Sequence, residues 1–546
     1  MILTSSLVSI VSGTPDVNAS TPGLLETKAT VVAGNDFTIA LKNDGTVWAW
    51  GDNESGQLGD GTKTERHTPV QVMSDASNPM TNVKSISVGT SNALALKNDG
   101  TVWAWGGVSL GNGTTGGSNY PVQVVLNSYT PLRDIVSIAC GITNLALKND
   151  GTVWAWGANS SGQVGDGTSG GSKLYPIQVM SNASSPMINV KSISVGGNNT
   201  LFLKNDGTVW ACGSNSGNLG NGTTNSSSYP VQIKINYSQY LTEIISISAG
   251  FSTTYALKND GTVWACGSNY SGEIGDGTTI DRLYAVQVKI DSSTPLKNVV
   301  AISNGIAVKD DSTVWAWGSN FWGQVADGTI QQTSPYGKTY AVQSRTSIST
   351  ALFDVVSISA GSRHTAVLKN DGTVWVWGNN TSGQIGNGAS GSGTYRVYPT
   401  QTTGLILFTP ATNVIVTGMN GITSITTKSG MLQMIGTVLP TDASYKDVTW
   451  SVRNETGSAT IGSNGLLTAV SDGTVAAIAT INGTYISGEM MVTISGQQIV
   501  NPEPQDDNGE DTNGSWFADN MVIIAVAIIG MVSILSFVIY GFIRKP

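Results

Sequence analysis

Histidine and cysteine are nearly missing from this chain of 546 residues, which holds two of the first and three of the second. His67 and His364 stand far apart in sequence, and no Cys/His spacing suited to a metal occurs. Three cysteines, Cys140, Cys212 and Cys266, cannot staple a chain of this length, so a disulfide framework is excluded. Charge is thin as well: 12% of residues are charged, 27 basic against 36 acidic, for a net charge of −9. The one adjacent basic pair is Arg544-Lys545 at the very end. Without clustered Lys and Arg there is no phosphate-binding face, and nucleic acid is excluded as a partner. No glycine-rich phosphate loop or nucleophile elbow is present, so no catalytic, cofactor-binding or metal-binding residue is nominated and the chain is not expected to be an enzyme.

What is abundant is repetition. LKNDGTVWAWG, first seen at Leu41–Gly51, returns nearly unchanged from Leu96, Leu147, Leu203, Leu257 and Leu368, and in degraded form from Val308. The leading tryptophans are Trp48, Trp103, Trp154, Trp210, Trp264, Trp315 and Trp375, spaced 51 to 60 residues apart. A period of this size marks a repeat architecture. Each copy reads as a β-hairpin around Asn-Asp-Gly, where Asp-Gly suits a type I′ turn. Copy six has Asp311-Ser312 there, and its turn is expected to be strained or of another type. A run such as Ile86-Ser-Val-Gly precedes each hairpin and one such as Pro69-Val-Gln-Val follows it, making about four short strands per unit.

In TVWAW the side chains alternate between faces, yet both faces are apolar, so each sheet needs cover before and behind. Twelve of the fifteen tryptophans occupy these positions. At ~200 Å² and ~25 cal/mol/Å², one buried indole contributes at most roughly 5 kcal/mol before entropy is subtracted. Radial repetition of four-stranded sheets gives a β-propeller, and seven copies give seven blades. The seam of the ring is expected where Ala29–Ala33 meets Pro399–Thr402. Longer connections such as 73–82, 180–189 and 344–354 are expected to gather on one rim, where binding loops commonly lie. Cys212 and Cys266 replace the second tryptophan of their copies and read as small buried hydrophobes, and His364 reads as structural. Gly-Asp-Gly-Thr at Gly59, Gly165 and Gly275 offers one carboxylate per loop, too few for calcium and better suited to a turn.

The repeat, I-S-x-G followed by L-K-N-D-G-T-V-W-A-W-G and G-Q-L-G-D-G-T, resembles that of the regulator of chromosome condensation family over about residues 29–404. Gly56-Gln57-Leu58-Gly59 returns as Gly162-Gln163-Val164-Gly165 and Gly383-Gln384-Ile385-Gly386, whereas copy six has Ala326 at the second glycine and copy two has lost much of the loop. The resemblance implies a seven-bladed propeller. The founding member's activity, guanine-nucleotide exchange on a small GTPase, is the alternative function it implies.

Residues 412–495 lack the repeat and hold short strands around LQMIGTVLP, DVTWSV, GLLTAV, TVAAIATI and EMMVTIS, which suggest a β-sandwich. V-L-P-T-D-A-S-x(3)-V-T-W-S-V resembles the bacterial Ig-like domain of group 2, with Trp450 as core tryptophan and a spacer or adhesive role implied. Residues 496–520 form an acidic flexible linker. Residues 521–543, an uncharged run of 23 residues, would span about 35 Å as a helix, enough to cross a membrane. Arg544-Lys545 then place residues 544–546 in the cytoplasm and the bulk outside. Residues 1–28 fit either a weak or truncated signal peptide or a disordered lead. The expected whole is all-β: a seven-bladed propeller plus an Ig-like sandwich with one C-terminal transmembrane helix. It reads as a prokaryotic, single-pass cell-surface recognition or adhesion protein whose propeller rim binds a protein or glycan.

Overall fold

The local logic of the repeat sits in its hairpin turn. In copy one, Gly45 donates its N–H to Lys42 O at 3.0 Å and Lys42 donates to Thr46 O at 2.9 Å. Only Gly45 is left-handed, at φ +82°. This is a type I turn closed by a glycine bulge, not the type I′ turn expected from Asp-Gly. The reason is the Asp44 carboxylate, which accepts both the N–H (2.9 Å) and the hydroxyl (2.6 Å) of Thr46. The Thr46 hydroxyl oxygen in turn accepts the Trp48 indole N–H at 3.3 Å. Aspartate, threonine and tryptophan of D-G-T-V-W thus form one chain of bonds. In copy six the same turn forms around Ser312, held at φ +64° where glycine is favoured.

The computed structural model describes residues 29–497, except Gly483 and Tyr485. Between Thr30 and Ile406 lie seven four-stranded antiparallel sheets, each with its strands in sequence order. The first sheet is Thr30–Ala33, Phe37–Leu41, Val47–Gly51 and Arg66–Gln71. The seventh is Val355–Ala360, His364–Lys369, Thr373–Gly378 and Arg396–Ile406. Each pair of neighbours shares a core, such as Ile39, Ala49, Leu58 and Val72 of sheet one with Ala93, Ala95 and Trp105 of sheet two.

Two devices join the sheets. The serine of I-S-x-G accepts a backbone N–H from the next sheet, as in Ser87 from Cys140 (2.9 Å), Ser248 from Asn304 (3.0 Å) and Ser303 from Ala360 (3.2 Å). Further out, the second tryptophan donates to a loop carbonyl of the preceding sheet: Trp105 to Gln57 O and Trp317 to Glu273 O, both at 2.9 Å, and Trp377 to Gln324 O at 2.7 Å. Where cysteine replaces that tryptophan, the threonine bond remains, which in copies one and seven accompanies the indole bond (Thr38 to Gln384 O, Thr365 to Gln324 O). Thr200 donates to Gln163 O at 2.8 Å beside Cys212, and Thr254 to Asn218 O at 2.7 Å beside Cys266. Both thiols are free and buried, and burial pushes them up to about 12. Copy two, with its shortened loop, supplies no such carbonyl, and the buried Trp156 indole N–H has no partner among the described residues.

The same devices close the ring. Ser359 accepts from Ala33 N at 3.0 Å, and Trp50 donates to Gln384 O at 2.9 Å. The expected strand pairing of Ala29–Ala33 with Pro399–Thr402 does not occur, because each of those strands pairs only within its own sheet. Leu407 bridges the gap instead, donating its N–H to Gly372 O (2.9 Å) and accepting the Asn43 N–H (3.0 Å). Leu405, Leu407 and Phe408 are buried with Val31 and Trp50, so the ring extends past residue 404.

Two further four-stranded sheets lie between Asn413 and Ile494, facing each other across Leu467, Val475, Ala477, Ala479 and Val492. Trp450 is half-buried and packs against that core from its edge, so the centre is made of small aliphatics. The sandwich is fastened to the ring. Thr409 N donates to Ser444 Oγ (3.0 Å), the Tyr445 hydroxyl donates to Asn43 Oδ1 (2.9 Å), and the Tyr445 ring meets Phe408 edge-on at 5.7 Å. Among the described residues no helix is long and apolar enough to cross a membrane. The segments 1–28, 498–520, 521–543 and 544–546 lie outside the described residues.

Candidate recognition face

The ring has two unlike faces. On one lie the Asn-Asp-Gly turns and the connections that follow each fourth strand. These connections are not irregular: 73–79, 125–131, 234–240, 289–295 and 345–351 are each pinned by a short β-bridge, and Met180–Asn182 pairs with Ser185–Pro186. Side chains cap their tips, as Asp75 does by accepting the Ser77 and Asn78 N–H groups. They carry exposed apolar residues, Tyr129 (92%), Tyr237 (87%) and Ile348 (82%). Asn43, bonded to the sandwich, belongs to this face.

The opposite face carries the turns between first and second strands and the loops between third and fourth. The glycine of I-S-x-G lies at the axis. A Cβ on Gly89 would stand 2.7 Å from Gly141 O, one on Gly196 would overlap Gly250 O, and one on Gly361 would overlap Gly34 O. These glycines let the innermost strands converge. Copy six keeps the motif as Ile302-Ser303-Asn304-Gly305, but its segment to the lysine is four residues shorter. Its first turn is the two residues Asn304-Gly305, against three in the other sheets, for example 250–252 and 361–363. A cavity of about 590 Å³ opens on this face, lined by the first turns of all seven sheets and, on the side of copies five to seven, by Phe251, Tyr255, Glu273, Asn304, Gln324 and Arg363.

Around the same three copies the outer loops carry aromatic side chains. Tyr270 stacks on Tyr336 at 5.5 Å, Phe321 meets Trp322 edge-on at 5.0 Å, and Trp322 lies 6.5 Å from Tyr395. Tyr270 and Phe251 are exposed at 65% and 72%. No sequence reading singled these residues out, although a signal was present. Phe321-Trp322 stands where other copies have Glu54-Ser55, Ser160-Ser161 or Thr381-Ser382, and Trp322 is one of the few tryptophans the repeat does not use.

Asp60 and His364 are committed to contacts within the fold. Asp60 of Gly-Asp-Gly-Thr accepts the Thr62 N–H (3.0 Å) and hydroxyl (2.7 Å), and its second oxygen accepts Arg66 Nε–H (2.9 Å). Hydrogen bonds from Thr62 and the Arg66 charge outweigh burial and hold its carboxyl below the usual range. His364 is buried, with Nε2 2.9 Å from Thr38 Oγ1. The strand register places Phe37, Asn92, Thr143 and Asn199 at the position equivalent to His364. Among the described residues no group of three His, Cys, Asp or Glu could hold a metal.

A ring of four-stranded sheets tied by I-S-x-G and by a tryptophan-to-carbonyl bond defines the RCC1-type propeller. The chain belongs to that family. The RCC1-like domain matches residues 11–305, and the regulator of chromosome condensation (RCC1) repeat matches 311–368, 355–384 and 371–414. The chain is similar to the ultraviolet-B receptor UVR8 of Arabidopsis thaliana, 27% identical over 371 residues, covering 66% of this chain and 79% of the receptor. It is also similar to the E3 ubiquitin-protein ligase HERC2 of Homo sapiens, 26% identical over 366 residues, covering 65% of this chain but only 7% of the ligase. Two solved structures share the fold. Human WBSCR16 superposes with a TM-score of 0.53 at 19% identity, over 68% of this chain and 96% of that one. Prp20p of Saccharomyces cerevisiae superposes with 0.51 at 19% identity, over 71% and 90%.

Proposed function

We propose that the chain is a non-enzymatic recognition protein whose seven-bladed propeller binds a protein partner through the face that holds the cavity and the aromatic loops. The observation that carries this reading is the placement of the sandwich. It is bonded at Asn43 to the other face, and among the described residues Phe251 and Tyr270 stay exposed beside the cavity. Exposed aromatics beside a concave site are typical anchors of a protein interface. In this reading the sandwich is an Ig-like stalk and residues 496–520 a linker. Residues 521–543 span a membrane, with the bulk outside the cell and 544–546 in the cytoplasm.

Two experiments test it. Protease shaving of intact cells should release propeller peptides, and failure to do so would place the propeller inside. Replacing Phe321, Trp322 and Tyr395 together by serine should abolish recovery of a cross-linked partner without unfolding the propeller. Undiminished recovery would remove this face from the proposal.

A further inference from the structure

The cavity wall carries at Glu273 a charge that has no ion-pair partner among the described residues. Five of the seven copies place an amide side chain on the loop whose carbonyl receives the next sheet's tryptophan or threonine: Gln57, Gln163, Asn218, Gln324 and Gln384. Copy five places Glu273 there. In the glutamine copies the side-chain oxygen accepts a nearby backbone N–H, as Gln57 does from Ser55 (2.9 Å) and Gln324 from Trp322 (2.8 Å). The amide nitrogen donates elsewhere in three of the four, from Gln57 to Asp52, from Gln324 to Ser319 and from Gln384 to Asp36, whereas that of Gln163 has no partner among the described residues. Glu273 keeps the first bond, with Oε2 accepting Ser271 N–H at 2.7 Å. The donor is replaced by Oε1, which accepts no hydrogen bond among the described residues.

Leaving a half-buried carboxylate oxygen unpaired is costly unless a donor arrives from outside. Arg363 also lines the cavity, but its guanidinium is paired with Asp36 at 3.3 Å, so the two cancel. Phe251 stands at the same cavity with its ring largely exposed. A carboxylate with a free oxygen and an aromatic face suit one organic cation. A metal ion is a poor match, since one carboxylate gives too few hard ligands.

We propose that the cavity receives a lysine or arginine side chain of the protein partner, its cationic head at Glu273 and its alkyl stem against Phe251. This rests on the recognition face proposed above and specifies what the partner inserts. The shortened Asn304-Gly305 turn lines the same cavity, whose volume is ample for one such side chain.

Saturation-transfer NMR on the full-length chain tests this, with Nα-acetyl-arginine amide and Nα-acetyl-lysine amide as probes. The citrulline and glutamine analogues serve as neutral isosteres. The signal from the cationic probes should exceed that from the isosteres at least fivefold. It should fall to the isostere level in Glu273→Gln, which installs the residue that copies one, three, six and seven carry, and stay unchanged in Glu65→Gln on a distant loop. Equal signals from citrulline and arginine, or an unaltered signal in a folded Glu273→Gln, would overturn the proposal. If partner cross-linking through Trp322 survives that failure, the recognition face stands and only the cation slot falls; if both fail, both fall.

Discussion

Trp50 donates its indole N–H to the carbonyl of Gln384 at 2.9 Å, joining the first sheet to the seventh across 334 residues of chain. Thr38 donates to the same carbonyl at 2.9 Å. A ring closed by side chains and by Leu407, without a strand shared between its ends, places much of its closure on this contact.

Trp50→Ala is therefore expected to cost about 3–5 kcal/mol, the range for removing a buried tryptophan. Trp50→Phe should cost less, with the lost hydrogen bond contributing about 1 kcal/mol and the truncated ring the rest. Urea unfolding followed by circular dichroism measures both. A Trp50→Ala variant as stable as wild type would mean that the ring is closed elsewhere.

Ser312 occupies a left-handed turn position that glycine holds in the other six copies. Ser312→Gly should stabilise the propeller by about 1 kcal/mol, the order of the steric cost of a side chain in that conformation. A rise in urea midpoint at unchanged slope is the expected result, and a fall would show that the serine side chain contributes more than its backbone loses.

The hairpins, the four strands per unit and the sandwich could be read from residue pattern because each depends on neighbours in sequence. The turn type could not, since Asp44 is committed to Thr46 and stays right-handed, a competition that the Asp-Gly dipeptide does not display. The seam was hidden for a different reason. Leu407 lies beyond the last repeat in no motif, and only the closed ring brings it to Asn43 and Gly372. The cavity was half legible. Counting residues from Ile302 to Lys309 reveals the deletion, but not that Glu273 and Arg363 of the adjacent copies flank the gap.

His364 offers a pH test. Burial pulls its imidazole down to about 4 from an ordinary value of 6.5. Thr38 donates its hydroxyl hydrogen to Gln384 O, so its oxygen accepts from His364 Nε2–H, while burial keeps the ring neutral. Because the unfolded chain takes up the proton first, stability is full above pH 6.5. It falls by roughly 3 kcal/mol as pH drops to about 4. Aspartates such as Asp60 act in a lower window, below the ordinary carboxylate value. His364→Asn, which copies the residue at Asn92 and Asn199, should flatten the slope between pH 6.5 and 4. An unchanged slope would assign it to other groups.

Gly196→Ala would drive a methyl group into the Gly250 carbonyl at the axis, where neither backbone can yield. We expect a loss of at least about 2 kcal/mol, as for overpacking in a rigid core. Gly116→Ala, with nothing within 4 Å, should change stability by less than about 0.5 kcal/mol. Equal melting of the two variants would mean that the innermost strands are not in contact.

The most direct test of a recognition face turned away from the sandwich is in-cell photo-cross-linking from paired positions. Benzoylphenylalanine in place of Trp322 reports the cavity face, and in place of Tyr237 the face that bears the sandwich. Discrete covalent adducts from position 322 and none from position 237 are predicted. Adducts from position 237 alone would contradict the account.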